Sequence, residues 1–343
     1  MRLSRRAFGR GLVAAAAGFA AGRVAAAQGP EVGLAVPTAI RVKARPVERL
    51  PILGGDVRRF GALEFIGGLD LDSDDRNFGG WSGLSISADG QRILAVSDVG
   101  GWLSARVAYT ERTPTAIVEA SIAPLLGADG TPLWRTRAWD SESLCVHDGV
   151  AYVGFERVHE VRRFDIGREG LLARGQIIPV PPAVKTLPEN RSLEAIGIAT
   201  AGALAGSLVV IAERATRGAD APTKGWILTG PQRGEFRVVR RDDFDITDLA
   251  FLPDGDMLML ERRFNWLDGV GMRIRRVPGG SIRPGALLDG PVLVDLDMRQ
   301  HIDNMEGLAI HRGPDGAVIL SLISDDNFSF IQRTTFLQFR LVE

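Results

Sequence analysis

The chain has 343 residues, 45% hydrophobic and 24% charged, which excludes a disordered polymer and suits two average domains or one large domain of repeats. A formal net charge of −1 excludes a general nucleic-acid binder, which needs a basic surface. A single cysteine, Cys145, excludes an internal disulfide and any multi-cysteine metal centre.

Residues 4–8 read Ser4-Arg5-Arg6-Ala7-Phe8, ahead of an alanine-rich apolar stretch from Gly11 to Ala21. Ala25 and Ala27 then offer a small-residue cleavage site before Gln28. The stretch is too short for a stable membrane span. Paired arginines before Phe predict a twin-arginine signal peptide over 1–27; an amphipathic N-terminal helix is the alternative. Cleavage removes five arginines and no acids, taking the net charge from −1 to −6. The twin-arginine export machinery is then the first partner. The mature chain is expected in the periplasm or outside the cell, soluble and monomeric, with residues 28–57 as an N-terminal extension.

Asp70, Asp72 and Asp74 have the alternate spacing of a calcium loop. Asp75 stands where such a loop needs Gly, and Trp81 where it needs a bidentate Glu. A solvated acidic loop is the expected reading.

From here one pattern recurs: an apolar strand, a turn, a second apolar strand, then an acid. The copies begin at Ser82, Glu142, Glu194, Asp248 and Glu306, at spacings of 60, 52, 54 and 58 residues. Asp89-Gly90, Asp148-Gly149, Asp254-Gly255 and Asp315-Gly316 supply four of the turns; Gly accepts the positive φ that tight hairpins demand. The spacing is that of a four-stranded propeller blade with its loops. The expected fold is an all-β propeller over 58–343. It would be closed by pairing an N-terminal strand near residues 60–69 with the last strand. Residues 40–75 leave five or six blades open.

Residues face each other across a hairpin when their mean falls at the turn centre. On that rule Glu142 opposes Glu156, Glu194 opposes Glu213, Asp248 opposes Glu261 and Glu306 opposes Asp325, all at the open ends. Like charges placed so are destabilising. If the first strands line the axis, the acids form a funnel. Its expected ligands to a hard cation, Ca²⁺ first, are Asp98, Glu142, Glu194, Glu213, Asp248 and Glu306. The competing reading is a ring of ion pairs in which Arg157, Arg214 and Arg262 neutralise the glutamates.

Other groups are weaker. His301, close before Glu306 and beside Asp303, is the best histidine acid–base candidate. His147, His159 and His311 read as ordinary turn or packing residues, and Cys145 as a buried small hydrophobe. Ser82 lacks the G-x-S-x-G setting of a hydrolase elbow, since Leu84 replaces the last Gly. Ile178 to Pro182 is a stiff extended segment, either a loop across the funnel mouth or a plain connector. Trp134, Trp139, Trp226 and Trp266 flank motif ends, either lining a surface or packing in the core.

With these motifs in place, the chain resembles the phytase-like family of exported bacterial proteins, described as having esterase-like activity. The matching stretches are Gly79-Gly80-Trp81-Ser82-Gly83-Leu84 with Ser97-Asp98, Asn190-Arg191-Ser192-Leu193-Glu194, Ala212-Glu213-Arg214, and Asp303-Asn304-Met305-Glu306-Gly307-Leu308. The resemblance covers roughly residues 58–342. It implies a propeller and an ester or phosphoester substrate. Two functions follow. One is a metal-dependent hydrolase with Glu306, Glu194 and His301 as catalytic groups and Arg157, Arg214, Arg262, Asn190 and Asn304 on the substrate. The other is a non-catalytic propeller binding a cation or ligand. The fold suits both.

Overall fold

The structure is a computed structural model describing residues 34–215, 218, 221–265 and 269–342. The export segment over 1–27 and Trp266 lie outside the described residues. Five antiparallel sheets follow one another along the chain and form a five-bladed β-propeller. The first blade is Trp81–Ile86, Arg92–Ser97, Gly101–Thr110 and Thr113–Pro124, with Thr38–Ala39 on its outer edge. The second is Ser141–His147, Val150–Phe155, Glu160–Phe164 and Arg174–Ile178, and the third Leu193–Ile198, Leu208–Ala212, Thr223–Ile227 and Gly234–Val238. Short parallel strands, Leu126–Gly127 and Leu287–Leu288, cover their outer edges. The fourth is Asp245–Phe251, Met257–Asn265, Gly269–Val277 and Val292–Leu296.

The fifth blade joins both ends of the chain. Met305–Arg312, Val318–Ser324 and Thr334–Leu341 come from the C-terminal side, and Leu63–Ser73 and Val42–Val47 from the N-terminal side. Residues 40–75 therefore complete the fifth blade and build no sixth one. Asp70 and Asp72 lie within the strand Leu63–Ser73, so the alternating aspartates follow the two-residue period of a strand. Val47 and Leu50, from the segment expected as an extension, pack in the core with Leu63, Phe65, Leu308 and Leu337.

Each first strand lies against the first strands of the blades on either side, closing a circuit around the axis. Cores fill the gaps between successive sheets, because a sheet with two apolar faces must bury both. Gly83 and Gly307 show how tight this packing is. A Cβ on either would come within 3.0 Å of the neighbouring blade's backbone or side chain. No helix among the described residues is long and apolar enough to cross a membrane.

Candidate carboxylate ring at the axial mouth

All five first hairpins share an irregularity that the averaging rule cannot detect. The register slips between Trp81 and Gly83, Ser141 and Ser143, Leu193 and Ala195, Ile246 and Asp248, and Met305 and Gly307. Each slip is a β-bulge, which leaves one residue unpaired and re-aims its side chain. The unpaired residues are Ser82, Glu142, Glu194, Thr247 and Glu306. The acids are thus neighbours across each hairpin mouth but not cross-strand partners. Just beyond the pairing, the amides of Asp98, Glu156, Glu213 and Asp325 donate to the carbonyls of Gly80, Asp140, Ser192 and Asn304.

The fourth blade is out of step with the expected reading. Its pairing sets Asp245 opposite Arg262, Ile246 opposite Glu261 and Asp248 opposite Leu260. Thr247 therefore holds the bulge where three other blades carry Glu, and Arg262 stands where the others carry Asp98, Glu156, Glu213 and Asp325. Asp248 does not join the funnel. It is fully buried between blades and accepts from the amides of Leu308 at 2.7 Å and Leu249 at 2.8 Å. Glu261 is buried against Arg275, whose Nε lies 2.9 Å from both carboxylate oxygens. An acid in sequence at Asp248 and Glu261 shifted the apparent frame of this blade by one residue.

The remaining acids converge. Glu194 of the third blade lies in the fields of Glu142 from the second and Glu306 from the fifth. Asp140, Glu142 and Glu156 each place a carboxylate oxygen within 4.8 Å of the others. Asp140, two residues before the bulge, was not foreseen; its counterparts Ser192 and Asn304 lie at the same point of their blades.

Counter-charge reaches this ring sparingly. Arg157 Nε donates to Asp140 at 2.7 Å and its guanidinium stacks 4.4 Å from the Trp139 ring. Arg262 Nη1 lies 2.6 Å from Asn304 Oδ1 and 3.1 Å from Glu306, and Nη2 lies 3.5 Å from Glu213. Burial alone would lower the pKa of Arg262, yet Glu306 and Glu213 raise it. Arg214 makes its direct ion pair with Asp245 of the next blade at 2.6 Å and acts on Glu213 only through its field, alongside Arg262 and Arg191. Glu142 has no cationic partner among the described residues.

The acids respond accordingly. Burial first, then neighbouring carboxylates, pushes Asp98, Glu142 and Glu194 well above the usual range. Burial raises Glu156 to about 7, Asp325 to about 6, and Glu306 to about 8 in spite of Arg262. Asp140 lies against Glu142, and Glu156 against Glu194, so the two acids of each pair titrate together rather than independently.

Asn304 Nδ2 donates to Glu306 Oε1 at 3.0 Å and belongs to the ring. Asn190 is exposed on the loop before Leu193–Ile198. His301 turns elsewhere: its Nε2 lies 2.9 Å from Asp70 Oδ1, beside the segment 46–52, so it is not placed to serve Glu306. His159 is buried, with Nδ1 2.8 Å from Ser192 Oγ, and the Ser192 amide donates to Glu156. Trp226 is core. Below the ring, Leu84, Leu144, Leu249 and Leu308 stand with Ser85, His147 and Thr200 around a cavity of about 160 Å³. Another cavity, of about 390 Å³, opens by the Asp-Gly turns of the first and fifth blades. Its Arg112 and Arg340 are already paired with Asp315, so the ring is the stronger chemical candidate.

No curated protein matches the chain. Among solved structures, a bifunctional GH43-CE protein of Bacteroides eggerthii is 12% identical at a TM-score of 0.43, over 77% of this chain and 33% of that one. This chain thus spans a third of that protein. A PQQ-bound aldose sugar dehydrogenase of Streptomyces coelicolor is 10% identical at a TM-score of 0.39, over 88% and 98%. Likeness this distant carries no inference about chemistry. The family described as phytase-like, esterase-like activity of phytase, matches residues 76–328, a span that takes in all five bulges and the whole carboxylate ring; the chain belongs to that family.

Proposed function

We propose that the protein is an exported, monomeric, metal-dependent hydrolase of ester or phosphoester bonds, acting at the carboxylate ring. The observation that carries this reading is the convergence of Asp140, Glu142 and Glu156 without enough cationic charge to balance them. Their donor atoms are carboxylate oxygens only, which fits a hard cation such as Ca²⁺. Asp140, Glu142 and Glu156 would hold it, with Glu194 adjoining through Glu156. A cation bound there supplies Lewis-acid polarisation of a carbonyl or phosphoryl oxygen.

The chain's own groups supply proton transfer and orientation. Glu306, at about 8, keeps a proton at neutral pH. Asn304 Nδ2 and Arg262 Nη1 both address its Oε1, which leaves Oε2 as the atom that would carry the proton to a leaving oxygen. Glu194, which burial and then Glu156 push well above the usual range, would accept a proton from water once a bound cation has displaced its own. Arg262 and Asn304 orient Glu306 and face the substrate's oxygen. His301 has no part in this arrangement.

The test is turnover of a panel of 4-nitrophenyl esters and phosphates, in chelator and after adding calcium, with metal content measured on the purified protein. Calcium-restored hydrolysis that Glu306→Gln reduces about a hundredfold is the expected result. Calcium binding with no turnover on any member would favour the non-catalytic binding propeller. Export is tested separately: Arg5-Arg6→Lys-Lys should hold the precursor in the cytoplasm, and normal periplasmic accumulation would refute that part.

A further inference from the structure

We infer that residues 327–331 form an apolar rim that seats the acyl or aryl part of a neutral ester, giving the carboxylate ring its substrate class. The inference rests on the hydrolytic reading of the ring. The segment follows directly from Asp325, one of the ring acids. Its side chains Phe330, Ile331 and Phe328 are 100%, 70% and 44% exposed, an unusual concentration of large apolar surface at one loop.

The loop is fixed rather than loose. Asn327 and Phe328 both have φ of 49°, the left-handed region that L-residues enter at a cost. Carboxylates hold them there. Asp325 Oδ1 accepts from the Asn327 amide at 2.6 Å, and Asp326 Oδ1 from the amides of Phe328 and Gly80 at 3.0 Å each. Asp326 Oδ2 accepts from the Thr334 hydroxyl at 3.0 Å. Strain maintained by surrounding bonds points to a use for the conformation.

Gly80 shows that the rim borders the ring. A Cβ there would stand 2.6 Å from the Phe328 ring and 2.1 Å from an Asp98 carboxylate oxygen. The aromatic face and the ring acid thus meet over one glycine, which has no side chain to separate them. Trp139, stacked on Arg157 beside Asp140, adds a second aromatic surface next to the ring. A neutral ester brings no further negative charge to a site where Asp140, Glu142 and Glu156 already crowd together, whereas a polyphosphate brings several. An apolar rim beside hydrolytic carboxylates suits a substrate with a reactive polar bond at one end and a hydrocarbon or aromatic body at the other.

The experiment compares wild type with the double variant Phe330→Ser/Ile331→Ser, whose exposed side chains leave the fold intact. Hydrolysis of 4-nitrophenyl acetate and hexanoate is measured in calcium, and binding of the inert 4-nitrophenyl hexyl ether by saturation-transfer NMR. Wild type should show a KM for hexanoate about tenfold below that for acetate, and the double variant should lose that preference at unchanged kcat. The ether should bind wild type and lose about the same factor in the variant. Ether binding that depends on the loop, without turnover of either ester, would sink the hydrolase and leave the apolar rim standing. Equal ether binding by both proteins, or a loop that binds neutral lipid vesicles but not the ether, would overturn the inference.

Discussion

Arg262 occupies the one axial position of its kind that is not an acid, and it serves Asn304, Glu306 and Glu213 together. Arg262→Ala should therefore cost about 1–3 kcal/mol in urea denaturation, less than a fully buried pair because 28% of its side chain reaches solvent. Arg214→Ala should cost about 1 kcal/mol or less, since Asp245 keeps Arg240 at 2.5 Å. An equal loss from both would contradict the division of charge described here. Asp248→Ala should cost about 1–3 kcal/mol by leaving two buried amides unsatisfied, without altering the response to calcium. Residue type showed that acids gather at the hairpin mouths. It did not show which acid leaves the funnel, because Thr247-Asp248 reads as a motif start as readily as Ser82-Gly83. Only the pairing of Asp245 with Arg262 sets the frame.

At the scale of elements, the repeated bulge does more than any single side chain. It frees one residue per first strand from the ladder and turns Glu142, Glu194 and Glu306 toward one another. A bulge adds a residue to one strand alone, so averaging across a turn misses it by about one position. Strand order and closure were legible, since Asp-Gly turns and apolar runs are local signals. The role of residues 42–50 was not, because Val47 and Leu50 meet their partners only after the chain ends come together. A chain beginning at residue 58 should keep the ring closed through Leu63–Ser73 and Thr334–Leu341. It should lose about 2–5 kcal/mol from the emptied core sites, read as a lower denaturation midpoint. Failure of that chain to fold would place the 42–47 strand in the closure itself.

For the whole molecule, the raised acids couple stability to pH in a definite direction. Glu306 at about 8, Glu156 at about 7 and Asp325 at about 6 hold protons in the folded state that the unfolded chain releases near the ordinary carboxylate range. The folded state binds more protons in that interval, so stability falls as pH rises from about 4.5 to about 8. In chelator the melting temperature should drop by roughly 3 °C or more across this window. Saturating calcium should flatten the slope by replacing the protons, and a slope unchanged by calcium would mean the ring balances its charge through arginine alone.

The most direct measurement is a calcium titration of thermal stability at pH 7.5 on wild type and Glu142→Gln. Glu142 is the natural choice because it lies between Asp140 and Glu156 and has no cationic partner among the described residues. Binding to the folded state alone raises stability with ligand concentration, so the wild-type melting temperature should climb through millimolar calcium. Glu142→Gln should start close to wild type in chelator, since the carboxamide replaces a carboxyl that burial and its acidic neighbours already hold protonated, and should gain little from calcium. A flat wild-type curve, or an equal climb in both proteins, would contradict a cation at the carboxylate ring.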